Sequence, residues 1–169
     1  MSKKKQNNLN FNIGDTVVYP SHGVGQINSI DKIQIGEVKS KCLSIIMEQD
    51  NLTVSIPIEK ISEVGLRKLS SKKNMLNALN LLKGKARVRR MMWSRKAQEY
   101  LNKINSGDPI LISEVIRDLY KKNNQPEPSY SERQMFQSAI ERLARELAAV
   151  EKIDHFSATE EIELILKSK

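Results

Sequence analysis

The chain has 169 residues, 39% hydrophobic and 28% charged, which suits one or two small folded domains rather than a disordered polymer. No apolar run approaches the ~20 residues needed to span a bilayer, and a single cysteine with two histidines excludes both a disulfide framework and a zinc finger. The formal net charge of +8 is unevenly placed: residues 1–70 carry +2, residues 71–105 carry +9 and residues 106–169 carry −3, so one short segment implies a polyanionic partner.

Residues 1–10 are basic and polar and lack the apolar stretch of a secretory signal, so a cytoplasmic location is expected, with Lys3, Lys4 and Lys5 on a solvated, disordered tail. Cys42 reads as a core residue, and the Asn51-Leu52-Thr53 glycosylation pattern as chance. From Thr16 to about Val64 the chain reads as β. Short Val- and Ile-rich runs occupy 16–20, 24–30, 42–48 and 52–57, separated by turn chemistry at Pro20–Gly23, Ile35–Glu37 and Asp50-Asn51. His22 is a turn hydrogen-bonder on this reading, and Gly23-Val24-Gly25 is a turn rather than a dinucleotide fingerprint, because it lacks the third glycine. Strands this short imply a small curled antiparallel sheet or SH3-like barrel. A unit of ~50 residues is only marginally stable alone, so it is expected to lean on the C-terminal half of the chain.

After Leu69 the apolar period becomes helical. Residues 71–82 place Met75, Leu76, Leu79 and Leu82 on one face, and residues 94–105 do the same with Ala97, Tyr100, Leu101 and Ile104 before Gly107. Asp108-Pro109 opens a helix that buries Ile112, Val115, Ile116 and Leu119. A connector at 123–129 leads to a capping box of Ser131 with Gln134 and a helix burying Phe136, Ala139, Ile140, Leu143, Leu147 and Val150. A second box, Ser157 with Glu160, opens a final helix through Ile162, Ile165 and Leu166. The expected fold class is therefore α+β: a small antiparallel β-barrel, then a compact all-helical domain of about five helices. Residues 1–10 form the tail, 11–69 the β-rich domain and 70–169 the helical domain.

Residues 83–96 hold seven basic side chains among fourteen and no acidic one. Trp93, the only tryptophan, lies inside this run and just ahead of a helix whose first turn carries Ser94, Arg95 and Lys96. A helix start presents free N–H groups and a positive dipole end, which suit phosphate. Arg95 and Lys96 strengthen that attraction while opposing the dipole, an arrangement poor for folding and good for anion binding. Trp93 either packs on the neighbouring helix or meets nucleic acid, stacking on an unpaired base or wedging into a minor groove. Met91 and Met92 read as local packing groups. Because the cations precede a helix instead of lining one, backbone contact is favoured over base reading, with sequence-tolerant and salt-dependent binding. The residues alone leave three classes: an architectural DNA-binding protein, an RNA-binding adaptor and, with no nucleophile–base pair, metal spacing or phosphate loop, an enzyme in last place. No cofactor is expected.

The run GDTVVYPSHGVG (14–25), then LTVSIP (52–57), then Trp93 followed by Ser-Arg-Lys, resembles the bacterial CarD/CdnL family. So does the pairing of residues 106–120 with residues 131–148, and the likeness runs from about Phe11 to Ile165. The first motif also occurs in the polymerase-binding module of the transcription–repair coupling factor, which carries a helicase motor that this chain lacks. The resemblance implies a Tudor-like N-terminal domain that binds the RNA polymerase β subunit, partly by pairing strand edges along Leu52, Thr53, Val54, Ser55 and Ile56. It implies a helical domain that meets promoter DNA at the upstream edge of the transcription bubble, where Trp93 wedges into the minor groove and slows collapse of the open complex. Arg95, Lys96 and Arg133 would meet phosphates, and charge density adds Arg87, Arg89 and Arg90. Ser55 stands where some relatives carry a basic residue that helps contact polymerase, which leaves more of that contact to the main chain. A monomer without membrane association, located at the nucleoid through polymerase, completes the expectation.

Overall fold

The computed structural model describes residues 11–47, 49, 51–87, 90–120 and 126–169. The expectations for the tail, for Arg89 and for part of the 123–129 connector lie outside the described residues.

Among the described residues five antiparallel strands form one sheet: β1 (Thr16–Tyr19), β2 (Gly23–Ile35), β3 (Val38–Met47), β4 (Leu52–Pro57) and β5 (Arg67–Lys68), in the spatial order β4-β3-β2-β1-β5. Alternation decides which face is buried. On β3, Leu43, Ile45 and Met47 point inward and meet Val17, Ile27 and Ile56, with Phe11 and Leu66 closing the cluster. Cys42 is also buried but is not part of this cluster. Between β4 and β5 the chain turns through a 3-10 segment (Ile58–Lys60) and the one-turn helix α1 (Ile61–Val64), stopped by Gly65 in the left-handed conformation.

Two details depart from expectation. Strands β2 and β3 run well past their apolar stretches, pairing Asp31 with Cys42 through Ile35 with Val38 around Gly36. Apart from Cys42, the described side chains of this ribbon are exposed or half-buried, so no buried face imposes a pattern that the sequence could display. Gly25 is also no turn residue: it lies inside β2 opposite Met47, while Gly23, at positive φ, closes the turn before it.

Five further helices follow among the described residues: α2 (Lys72–Leu81), α3 (Trp93–Asn105), α4 (Pro109–Leu119), α5 (Tyr130–Glu151) and α6 (His155–Lys167). The central α4 is buried along Ile112, Val115, Ile116 and Leu119, as its period predicts, and packs against α2, α3 and α5. The same period puts Leu76 and Leu101 inside, but they are 57% and 41% exposed. Ala78 takes the inner position on α2, since a small side chain lets that helix approach its neighbours closely. Both predicted capping boxes begin too late. Ser129, not Ser131, caps α5, and Asp154, not Ser157, caps α6. Lys152 adopts a left-handed conformation and Ile153 N–H returns to the Ala148 carbonyl, so the chain reverses at once and Asp154 reaches the cap position first.

The sheet leans on the helices through polar joints, with a separate apolar cluster on each side. Arg67 on β5 donates to both carboxylate oxygens of Glu146 on α5, at 2.7 and 2.9 Å, and to the Gly107 carbonyl at 2.6 Å. Glu146 is 3% exposed and also accepts from Ser70 N–H at 3.0 Å. One turn earlier, Arg142 donates to the carbonyls of Pro20 (2.7 Å) and Ser21 (2.8 Å). Burial pulls its pKa below the ordinary value, opposed by neighbouring Glu141. At Gly107, whose φ is +70°, an added Cβ would lie 2.8 Å from Pro20 Cα, so the halves meet there at backbone distance.

Candidate nucleic-acid interface and sheet edge

After α2 the described residues of the basic segment, 83–87 and 90–96, lead to the start of α3. The segment is tied down at Arg87, whose backbone N–H donates to Asp118 Oδ1 at 3.0 Å, and the same oxygen accepts from Arg117 Nε at 2.9 Å. Arg117 and Asp118 are both largely buried, so α4 provides a fixed post. Arg87 and Lys96 line one shallow pocket with Glu99, Tyr100, Lys103 and Asp118. Arg87 is thereby held beside α3.

Trp93 is the first residue of α3 rather than the residue just ahead of it, because the helix begins one position earlier than its apolar period indicates. Its side chain is 39% exposed and belongs to neither apolar cluster. The helix is held by Tyr100 and Ile104, two and three turns further along, which point into the core. This is how an indole at the surface is kept in a defined place: the anchor lies on the same rigid element but away from it.

Arg67, Lys103, Arg117 and Arg145 are paired with carboxylates. Arg87, Arg90, Arg95 and Arg133 are exposed and carry no such pair among the described residues. Lys96 is half-buried in the pocket wall. Trp93, Arg95 and Lys96 are thus gathered on one turn, with Arg87 and Lys96 sharing a pocket and Arg90 just upstream. Arg133 stands apart on the first turn of α5. Exposed guanidinium groups close in the chain to a partly exposed indole are the chemistry that could hold phosphate and stack on a base.

Leu52, Thr53, Val54, Ser55 and Ile56 form β4, an edge strand paired on one side only, with β3. Ile56 is buried and Val54 half-buried, while Leu52, Thr53 and Ser55 are exposed. Its outer side can accept another strand.

Sequence reading misses the joint residues. Glu146 has a visible signal, a carboxylate within the apolar face of α5; Arg67 and Arg142 have none. It also places Met92 in local packing, whereas that side chain is 75% exposed. Among the described residues no three His, Cys, Asp or Glu side chains gather to hold a metal ion, and no helix is long and apolar enough to cross a membrane.

The family model of the CarD C-terminal domain matches residues 77–163, and that of the CarD-like/TRCF RID domain matches residues 11–70. The Bacillus subtilis (strain 168) protein named "Putative transcription factor YdeB" is 30% identical over 143 residues, covering 85% of this chain and 94% of its own. The solution structure of the 72-residue N-terminal domain of Myxococcus xanthus CarD is 33% identical, over 34% of this chain and 77% of that one, with a TM-score of 0.31.

Proposed function

The chain belongs to the CarD family of transcription factors, and from that premise we propose that it binds the RNA polymerase β subunit and stabilises the promoter open complex. Residues 11–69 act as the polymerase-interaction domain and residues 70–169 as the DNA-binding domain of a monomer that reaches the nucleoid through polymerase. The outer edge of β4, Leu52–Ile56, docks by strand pairing. Trp93 wedges into the minor groove at the upstream edge of the bubble, while Arg87, Arg89, Arg90, Arg95, Lys96 and Arg133 meet phosphates.

One observation carries this reading: the lone tryptophan stands partly exposed at the head of α3, with exposed Arg90 and Arg95 close by in the chain, on a helix anchored in the core. A wedge that fits a distorted fork better than closed duplex shifts the open/closed ratio about tenfold for every ~1.4 kcal/mol of difference. Tethering on polymerase raises the local concentration of the helical domain, so weak intrinsic affinity for DNA is enough. Specificity comes from position and not from base contacts.

Run-off transcription on a promoter whose open complex collapses quickly tests the reading. Wild type is expected to raise transcript yield several-fold and Trp93→Ala to abolish the gain, while both bind core polymerase equally in pull-down. Equal yields from both proteins would contradict the wedge. DNA binding without polymerase binding would favour a sequence-tolerant architectural protein.

A further inference from the structure

Met92 precedes Trp93, and its side chain is 75% exposed, more than any other large apolar side chain among the described residues. It occupies the N-cap of α3. The other four long helices place Ser71, Asp108, Ser129 and Asp154 at this position, and each side chain accepts a first-turn N–H at 2.9 to 3.2 Å. Met92 makes no such bond. Its backbone (φ −59°, ψ 140°) is close to those of Ser71 (−65°, 157°) and Ser129 (−63°, 164°), so a serine there would cap the helix. In the free protein the methionine therefore forgoes a favourable cap and leaves apolar surface in water. Neither choice helps the chain to fold, and the apolar side chain becomes useful only when something covers it.

The surroundings select the occupant. Arg90 and Arg95 flank the pair and are exposed, and the first turn of α3 holds no acidic residue. An apolar tip inside a cationic rim fits a polyanion with an apolar interior, which is a base-pair stack behind its phosphates. We propose that Met92 and Trp93 form a two-residue wedge, with Met92 entering the minor groove beside the step that Trp93 unstacks. The unbranched, polarizable thioether adapts to an irregular groove wall and lies against the neighbouring ring. This inference rests on the proposed promoter role of Trp93 and adds a residue to the same site.

The test measures open-complex lifetime by competitor challenge with Met92→Ser, Met92→Leu and Trp93→Ala, together with urea midpoints and core-polymerase affinity. Met92→Ser is expected to raise the urea midpoint, leave polymerase affinity unchanged and shorten the lifetime about three- to fivefold. Met92→Leu, which keeps apolar volume, is expected to retain most of the lifetime. A wild-type lifetime for Met92→Ser beside a shortened one for Trp93→Ala would overturn the two-residue wedge and leave the proposed function standing. Unchanged lifetimes for both would overturn the proposed function itself. A lowered midpoint for Met92→Ser would contradict the forgone cap, and a loss of polymerase affinity would assign Met92 to the polymerase; either result overturns the inference.

Discussion

At Gly25 an added Cβ would lie 2.7 Å from Ile45 Cγ2, 2.7 Å from Met47 Sδ and 3.0 Å from the Ile46 carbonyl oxygen. Backbone conformation is not the constraint; the close approach of β3 is. One of those contacts is main chain, so the strands must part to admit a methyl group. Gly25→Ala is expected to lower stability by about 1–3 kcal/mol, read as the shift in urea midpoint at constant slope. A midpoint equal to wild type would mean that β2 and β3 separate there at no cost. The same logic of atoms in contact governs Trp93 in reverse: no described apolar cluster includes it, so its removal should act on DNA and spare the fold.

Caps set the helical element boundaries, and one of them titrates. The Asp154 carboxylate at the start of α6 is held below the usual carboxylate range by hydrogen bonding from Ser157, through its side chain and its backbone N–H. A lowered folded value stabilises the folded state above the unfolded pKa near ~3.9, and the benefit disappears as pH falls through the folded value. Asp154→Ala is therefore expected to be less stable than wild type at pH 7 and to converge on it at pH values below that folded value. A deficit that persists undiminished in acid would place the contribution in packing instead. Sequence periodicity locates α4 and α5 because each has one buried face, such as Ile112, Val115, Ile116 and Leu119. It misplaces the starts of α5 and α6 because several Ser and Asp side chains compete within a few residues and local chain reversal decides among them. It does not reveal the length of the β2–β3 ribbon, where Lys32 faces Lys41 across a solvated pair. The basic run and its tryptophan are legible as composition; the exposure of Met92 is not, since nothing local distinguishes it from Met91.

For the whole molecule, the proposed function makes the angle between sheet and helices decide where the indole would arrive once the sheet edge is docked. The joint at Arg67, Glu146, Arg142 and Gly107 sets that angle with charged and backbone groups. Removing one partner of a largely buried pair strands the other. Glu146→Ala is expected to cost about 2–3 kcal/mol, less than a fully buried pair because Arg67 is 30% exposed. It is also expected to keep polymerase binding while shortening open-complex lifetime, since the helices lose their fixed pose. A variant that unfolds at wild-type urea concentration would show the joint to be dispensable.

The division of labour between an anchor and a wedge is tested most directly by open-complex half-life under competitor challenge. Three proteins are compared: wild type, Trp93→Ala, and Leu52→Asp with Ser55→Asp on the exposed edge of β4. Carboxylates at that edge would be desolvated without partners on docking. The account predicts that wild type lengthens the half-life and that each variant returns it to that of polymerase alone, because neither part acts without the other. Full stabilisation by the edge variant, or by Trp93→Ala, would contradict it.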